Sequence, residues 1–324
     1  MQTGKLGRWL ACTALAAVST ISHGQDWPSG PVRVIVPFAA GSTPDITARL
    51  IGERLTARLG QPMVVENKAG AAGNLGTDAI AKARPDGQVI GVSIAGPLAV
   101  NSLLYSKLPY DPARDLQPVT IATSQPAVLV VASRVPAGNA AELLALLKKQ
   151  PKALSYSSMG AGTISHLAMA ALAARSQADP VHVPYPGSGA AVTAVIAGDV
   201  DMAILPAATV LPHVKSGRIK ALAVAGAKRS PSLPDLPTLA EAGVADVQAD
   251  AWIGYVVPAG TPGPIVKRLH DEIVAVLAEP ALREKLRLQY MDPVGNTPDA
   301  FRRVMADDVA RWKPVIEKHR IRLD

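Results

Sequence analysis

Three segments of this 324-residue chain join glycine to small hydroxyl residues where an apolar run gives way to a helical period. They read Pro37-Phe38-Ala39-Ala40-Gly41-Ser42-Thr43-Pro44-Asp45, Ser158-Met159-Gly160-Ala161-Gly162-Thr163-Ile164-Ser165-His166 and Tyr185-Pro186-Gly187-Ser188-Gly189. The first-turn amides of a helix have no partner inside it. Its N-terminus also bears about half a positive charge, worth roughly 0.3 to 2 kcal/mol to a bound anion. In the first segment Thr43 is placed as the helix cap and Pro44 as the first helical residue. Gly41, Gly160, Gly162 and Gly187 let backbone approach a guest; Ser42, Thr163, Ser165 and Ser188 add hydroxyls; Ala161 and Tyr185 complete the candidate set. None of the three loops contains Lys or Arg. An anion held there is therefore held by neutral dipoles, hydroxyls and bridging water. The same residue types serve any strand-to-helix turn, so no single loop decides the matter.

Asp45 has two readings, contact with an amino or hydroxyl group of a ligand or, slightly preferred, an acid complementing the helix dipole. His166 either donates to a carboxylate or caps and packs locally, and Asn74 is a helix cap first and a ligand contact second. Other chemistry finds little support. The run Gly160-Ala161-Gly162 resembles a dinucleotide loop but ends in Ser165, where glycine or alanine is needed. Ser188 lacks the Gly-x-Ser-x-Gly setting of a nucleophile elbow, and the six histidines show no metal-ligand spacing. No catalytic residue, metal or cofactor is expected. A net charge of +7 without clustered Lys and Arg, and aromatics at only 4%, argue against nucleic acid, though a mild positive field would steer anions.

The elements must bring these loops to one place. Val32 to Val36, Met63 to Val65 and Val89 to Ile94 read as strands, with helical periods through Ile46, Leu50, Leu55 and Leu59 and through Leu75, Ala79, Ile80 and Ala83. The same grammar restarts after Pro136, giving strands at Leu154 to Ser157, Val181 to Tyr185 and Met202 to Leu205. Repeated βα units imply parallel sheets flanked by helices, with ligands beyond the carboxyl ends of the strands. Ala127 to Val131 and Trp252 to Val257 are extended segments where a chain crossing between two lobes and returning is expected. From Pro264 onward the chain reads as helices that pack back on the first lobe. At the start, Lys5 and Arg8 precede the apolar stretch Trp9 to Val18 and the small-residue exit Ser22-His23-Gly24. This predicts a secretory signal over residues 1–24, cleaved near Gly24, whose apolar stretch is too short to span a bilayer, which takes about 20 residues. The one cysteine, Cys12, lies inside it.

Across the chain, Trp27-Pro28, the Val34 to Arg49 segment, Val65-Glu66-Asn67-Lys68 with Gly70 to Gly76, Lys107-Leu108-Pro109-Tyr110-Asp111-Pro112, His182-Val183-Pro184-Tyr185 and Pro258-Ala259-Gly260-Thr261-Pro262 keep order and spacing. In these the sequence resembles the Bug-type receptors, the substrate-binding proteins of tripartite tricarboxylate transporters. The resemblance implies an α/β, two-lobed type II periplasmic-binding-protein fold with parallel-rich sheets and a ligand cleft between lobes. Lobe 1 is expected over 25–124 and 247–324, and lobe 2 over 125–246. It implies a monomeric periplasmic receptor, not an enzyme, that captures a small organic carboxylate for membrane permease subunits. A sensor subunit feeding a two-component system is the alternative, and an exported enzyme acting on a small organic acid the remote one. Ala39, Ala40 and Ser42 depart from the family's usual first loop. Leu205 stands where many relatives carry aspartate; if it faces the cleft it favours a less polar acid.

Overall fold

The computed structural model describes residues 27–231, 233–245 and 247–323, so the expected signal segment lies outside the described residues. The chain runs β1 (Val32–Val36), α1 (Thr43–Leu59), β2 (Met63–Asn67), α2 (Asn74–Ala81), β3 (Val89–Ile94), α3 (Asn101–Leu104), α4 (Pro112–Asp115) and β4 (Leu116–Gln125). It continues through β5 (Ala127–Ala132), α5 (Ala140–Lys149), β6 (Ser155–Ser158), α6 (Ile164–Arg175), β7 (Val181–Pro184), α7 (Ser188–Ala197), β8 (Met202–Pro206), α8 (Ala207–Lys215) and β9 (Ile219–Val224). It returns as β10 (Ala251–Pro258), then α9 (Gly263–Leu277), α10 (Pro280–Leu288), β11 (Asp292–Pro293) and α11 (Pro298–His319).

Two mixed sheets result, ordered β11-β4-β10-β3-β1-β2 and β7-β6-β8-β5-β9. The parallel pairing expected from the βα repeats holds for β1 with β2 and β3, and for β6 with β7 and β8. The crossing strands run the other way: β10 is antiparallel to β3 and β4, and β5 to β8 and β9. The reason is geometric. A chain that leaves one sheet at its carboxyl edge enters the next from that same edge, so Ala127 pairs with Pro206 and Ala251 with Gln125. The carboxyl edges of the two sheets therefore face one another across the crossings. The sequence reading omits β4 and β9, and the two-residue β11 interrupts the stretch it reads as helical from Pro264 onward. β4 is buried on both faces yet carries Thr120, Thr123 and Gln125, so neither alternation nor an apolar run marks it.

Alternation in β1 sorts the core, as a period of two requires. Val32, Val34 and Val36 pack with Ile51 and Leu55 of α1 and Leu269 and Ile273 of α9. Ile35 joins Ile80 and Leu98 on the opposite face, in a cluster that continues through Phe301 and Trp312 of α11 to Leu167 of α6 and the second sheet. α9 thus packs on the first sheet as expected, but α11 reaches both. Gly254 in β10 lies under the Phe301 ring, whose Cε1 would stand 2.6 Å from a β-carbon there. The ring packs edge-on to Trp252 at 5.2 Å, and the Trp252 indole donates to Asp308 Oδ2 at 2.7 Å. Gly254→Ala is expected to overpack this joint and cost about 2 kcal/mol in urea unfolding. Adding Phe301→Leu should recover part of that loss; strict additivity of the two would show that the ring is not the obstacle.

Candidate functional site

The β1–α1 loop is built around a buried carboxylate. Asp45 is 2% exposed and accepts from Gly41 N at 2.8 Å, Asn67 Nδ2 at 2.9 Å and Arg49 Nε at 3.1 Å. Burial alone would raise its pKa, but the hydrogen bonds from Arg49, Gly41 and Asn67 and the Arg49 charge hold it below the ordinary value. Asp45 shapes the loop, and neither the dipole nor a ligand contact accounts for its several donors. Asn67 also donates to Phe38 O at 2.9 Å, fixing both ends of the loop. The cap lies one residue earlier than the sequence predicts: Ser42 has extended cap geometry and Thr43 opens the helix. Gly41 is exposed, Ser42 and Thr43 are half-buried, and the Ser42 hydroxyl has no hydrogen-bond partner among the described residues.

On the second sheet, the β6–α6 and β7–α7 loops lie side by side, joined by Tyr185 N to Ser158 O at 3.0 Å. Thr163 caps α6, accepting from His166 N at 3.4 Å. Gly160, Thr163, Tyr185, Gly187 and Ser188 are half-buried and Ala161 exposed, while Ser165 is buried with its hydroxyl unpartnered among the described residues. Ser188 Oγ accepts from Thr209 Oγ1 at 3.1 Å, which brings the start of α8 to the same edge. Gly162 is buried at φ +75°, its N–H donates to His166 Nδ1 at 3.0 Å, and a β-carbon on it would stand 2.9 Å from Leu104 Cδ1. Its close approach is thus to the chain's own leucines.

His166 is one end of a stack, its ring 3.9 Å from His182, which lies 4.9 Å from Tyr156. Tyr156 and His182 are paired in register on β6 and β7, a neighbour relation that linear spacing does not reveal. His182 Nε2 meets Ser158 Oγ at 2.7 Å, but that hydroxyl belongs to a fully buried residue and also bonds Gly160 O at 3.1 Å. It is out of reach as a nucleophile.

Two sequence-selected residues face inward. Asn74 is buried just inside α2, where its Oδ1 accepts from Asn101 Nδ2 at 2.6 Å and from the Tyr110 hydroxyl at 3.0 Å; the cap position belongs to Gly73. Leu205 is fully buried in β8 among the core of the second sheet, so it offers the cleft no surface. A cavity of about 620 Å³ is lined by Ser124, Asp250, Trp252, Asp292 and Arg311 among others. It includes Ile164 but none of the sequence-selected residues.

The histidine stack gives a pH signature. Burial, with His182 and His319 nearby, pushes the His166 imidazole from 6.5 down to about 4, and its Nδ1 must stay unprotonated to accept from Gly162. The unfolded chain takes up the proton first, so this stabilisation is complete above about pH 6.5 and is lost as pH falls toward about 4, by roughly 2 to 3 kcal/mol. Urea unfolding of His166→Gln between about pH 7 and pH 4 is expected to show a flatter decline. An unchanged slope would assign the acid sensitivity to other groups.

A profile described as tripartite tricarboxylate transporter family receptor matches residues 47–321. Protein BugT of Bordetella pertussis is 35% identical over 306 residues, 94% of each chain. Among solved structures, an R. palustris protein with adipate aligns at TM-score 0.80 and 34% identity, covering 90% of this chain and 98% of that one. MatC from Rhodopseudomonas palustris with bound malate aligns at 0.76 and 32%, covering 90% and 100%. Matched in sequence and fold over most of its length, this chain belongs to the tripartite tricarboxylate transporter receptor family.

Proposed function

We propose that the chain is a periplasmic solute-binding receptor that closes its two lobes on a small carboxylate and delivers it to the permease subunits of a tripartite tricarboxylate transporter, without chemistry of its own. In this reading residues 1–24 direct export and are removed near Gly24, residues 25–124 with 247–324 form one lobe and 125–246 the other, and the receptor acts as a monomer. The observation that carries it is the set of strand-to-helix junctions at Ser42, Thr163 and Gly187 on facing carboxyl edges, with no Lys or Arg in their loops. First-turn amides of α1, α6 and α7 supply donors that no intrahelical carbonyl uses. The buried hydroxyls of Ser42 and Ser165, unpartnered among the described residues, are costly unless a guest accepts from them. The adipate and malate held by relatives support an organic acid as that guest.

Buried and internally bonded, Asp45, Asn74, Gly162 and His166 serve here as the frame that holds the donors. A ligand bound only by the folded chain stabilises it, by about 2.7 kcal/mol at a hundredfold excess over Kd, or a few degrees in Tm. Thermal unfolding against a panel of mono-, di- and tricarboxylates is expected to single out one chemical group of acids. A flat response to the whole panel would sink the carboxylate reading.

A further inference from the structure

The turn between β2 and α2, on the first sheet, has an unusual backbone. Gly70, Ala71, Ala72 and Gly73 all have positive φ, at 138°, 46°, 53° and 90°. Glycine accepts such angles freely, whereas alanine is strained there, so methyl groups at 71 and 72 are kept against a local cost. Both methyl-bearing residues are exposed. Next to them Leu75, in the first turn of α2, is 60% exposed and lies over Gly70, where a β-carbon would come 2.5 Å from its Cδ1.

This turn touches the first loop. A β-carbon on Gly73 would stand 3.0 Å from Phe38 Cζ, and Phe38 is followed by exposed Ala39 and Ala40. Phe38, Ala39, Ala40, Ala71, Ala72 and Leu75 therefore belong to one surface at the carboxyl ends of β1 and β2, beside the amides of α1. No charged side chain occurs from Ala69 to Thr77. Among the described residues the other large exposed apolar side chains, Val64, Val181, Leu288 and Val294, are scattered elsewhere.

Resting on the receptor reading, we propose that this surface selects the body of the ligand: the receptor prefers carboxylates with a bare hydrocarbon frame over hydroxylated ones of equal charge. Amides and hydroxyls hold the carboxylate, while the alanine turn and Leu75 desolvate the carbon chain. A hydroxyl pressed against that wall loses water and gains no partner.

Two matched series test the idea by calorimetry on the full exported chain: succinate, 2-methylsuccinate and malate, then benzoate, 4-methylbenzoate and 4-hydroxybenzoate. In the series that binds, the methyl compound is expected to exceed the hydroxyl compound by about tenfold in affinity. Leu75→Ser, at an exposed position, should leave the unliganded Tm unchanged and cut that ratio below about threefold. A combined Ala71→Gly and Ala72→Gly variant, which relieves the positive φ, should also lower it. If acids bind with no methyl preference, or the preference survives all three substitutions, the apolar wall is wrong and the receptor reading stands. If neither series binds, nor any acid of the wider panel, the receptor reading falls and this inference with it.

Discussion

The two passages of the chain between its sheets are held against each other by the backbone. Ala225 N donates to Ala127 O at 2.7 Å, while Ala207 N, at the start of α8, ties the first passage to its own sheet by donating to Pro126 O at 2.9 Å. Peptide groups so paired are costly to separate in a buried setting. Everything about the site follows from where these passages lie. Because both join carboxyl edges, the loops after β1, β2, β6, β7 and β8 leave their sheets at the edges where the crossings lie, and the antiparallel strands β5 and β10 are the structural signature of the arrangement.

Within that frame, polar groups divide into those spent on the fold and those left over. Asp45, Asn67, Asn74, Asn101, Tyr110 and the acceptor nitrogen of His166 are bonded internally. They are ionisable or bidentate groups, for which burial without partners is most expensive. What remains at the edge is the weaker set: hydroxyls, first-turn amides and methyl groups. Such a surface suits a guest that must be released again, since no fixed cationic side chain from these loops clamps it.

The strands β1, β3 and β8 were legible because Val, Ile and Leu runs bounded by glycine and proline have few other solutions. The helix starts at Thr43, Ile164 and Ser188 were legible from cap and glycine patterns, to within one residue at Ser42. The resemblance supplied the two-lobed plan that periodicity alone leaves open. β4 was not readable, since a strand buried on both faces loses the alternation that marks a half-exposed one, and in β9 the half-buried Lys220 interrupts a short apolar run. Contacts across the fold were hidden for a simpler reason. Nothing in the linear spacing places His182 against His166, Leu104 under Gly162 or Tyr110 on Asn74, so the internal bonds of Asn74, Gly162 and His166 could not be read beside their candidate ligand roles. Leu205 was misjudged by position: β8 is covered on both faces, and its residue count to the edge does not say which side chain emerges.

The placement of β10 between β3 and β4 bears on how the chain acquires its shape. Residues of the second sheet are contiguous from β5 to β9, whereas the first sheet waits for a strand that arrives more than a hundred residues after β4 begins. During synthesis the second sheet has all its parts while β3 and β4 still present bare edges, the kind of surface that recruits wrong partners. Closing that gap is a contact of high sequence separation, so the last insertion should be the slow event in maturation. The strand that makes the cleft possible is thus also the one on which productive folding waits.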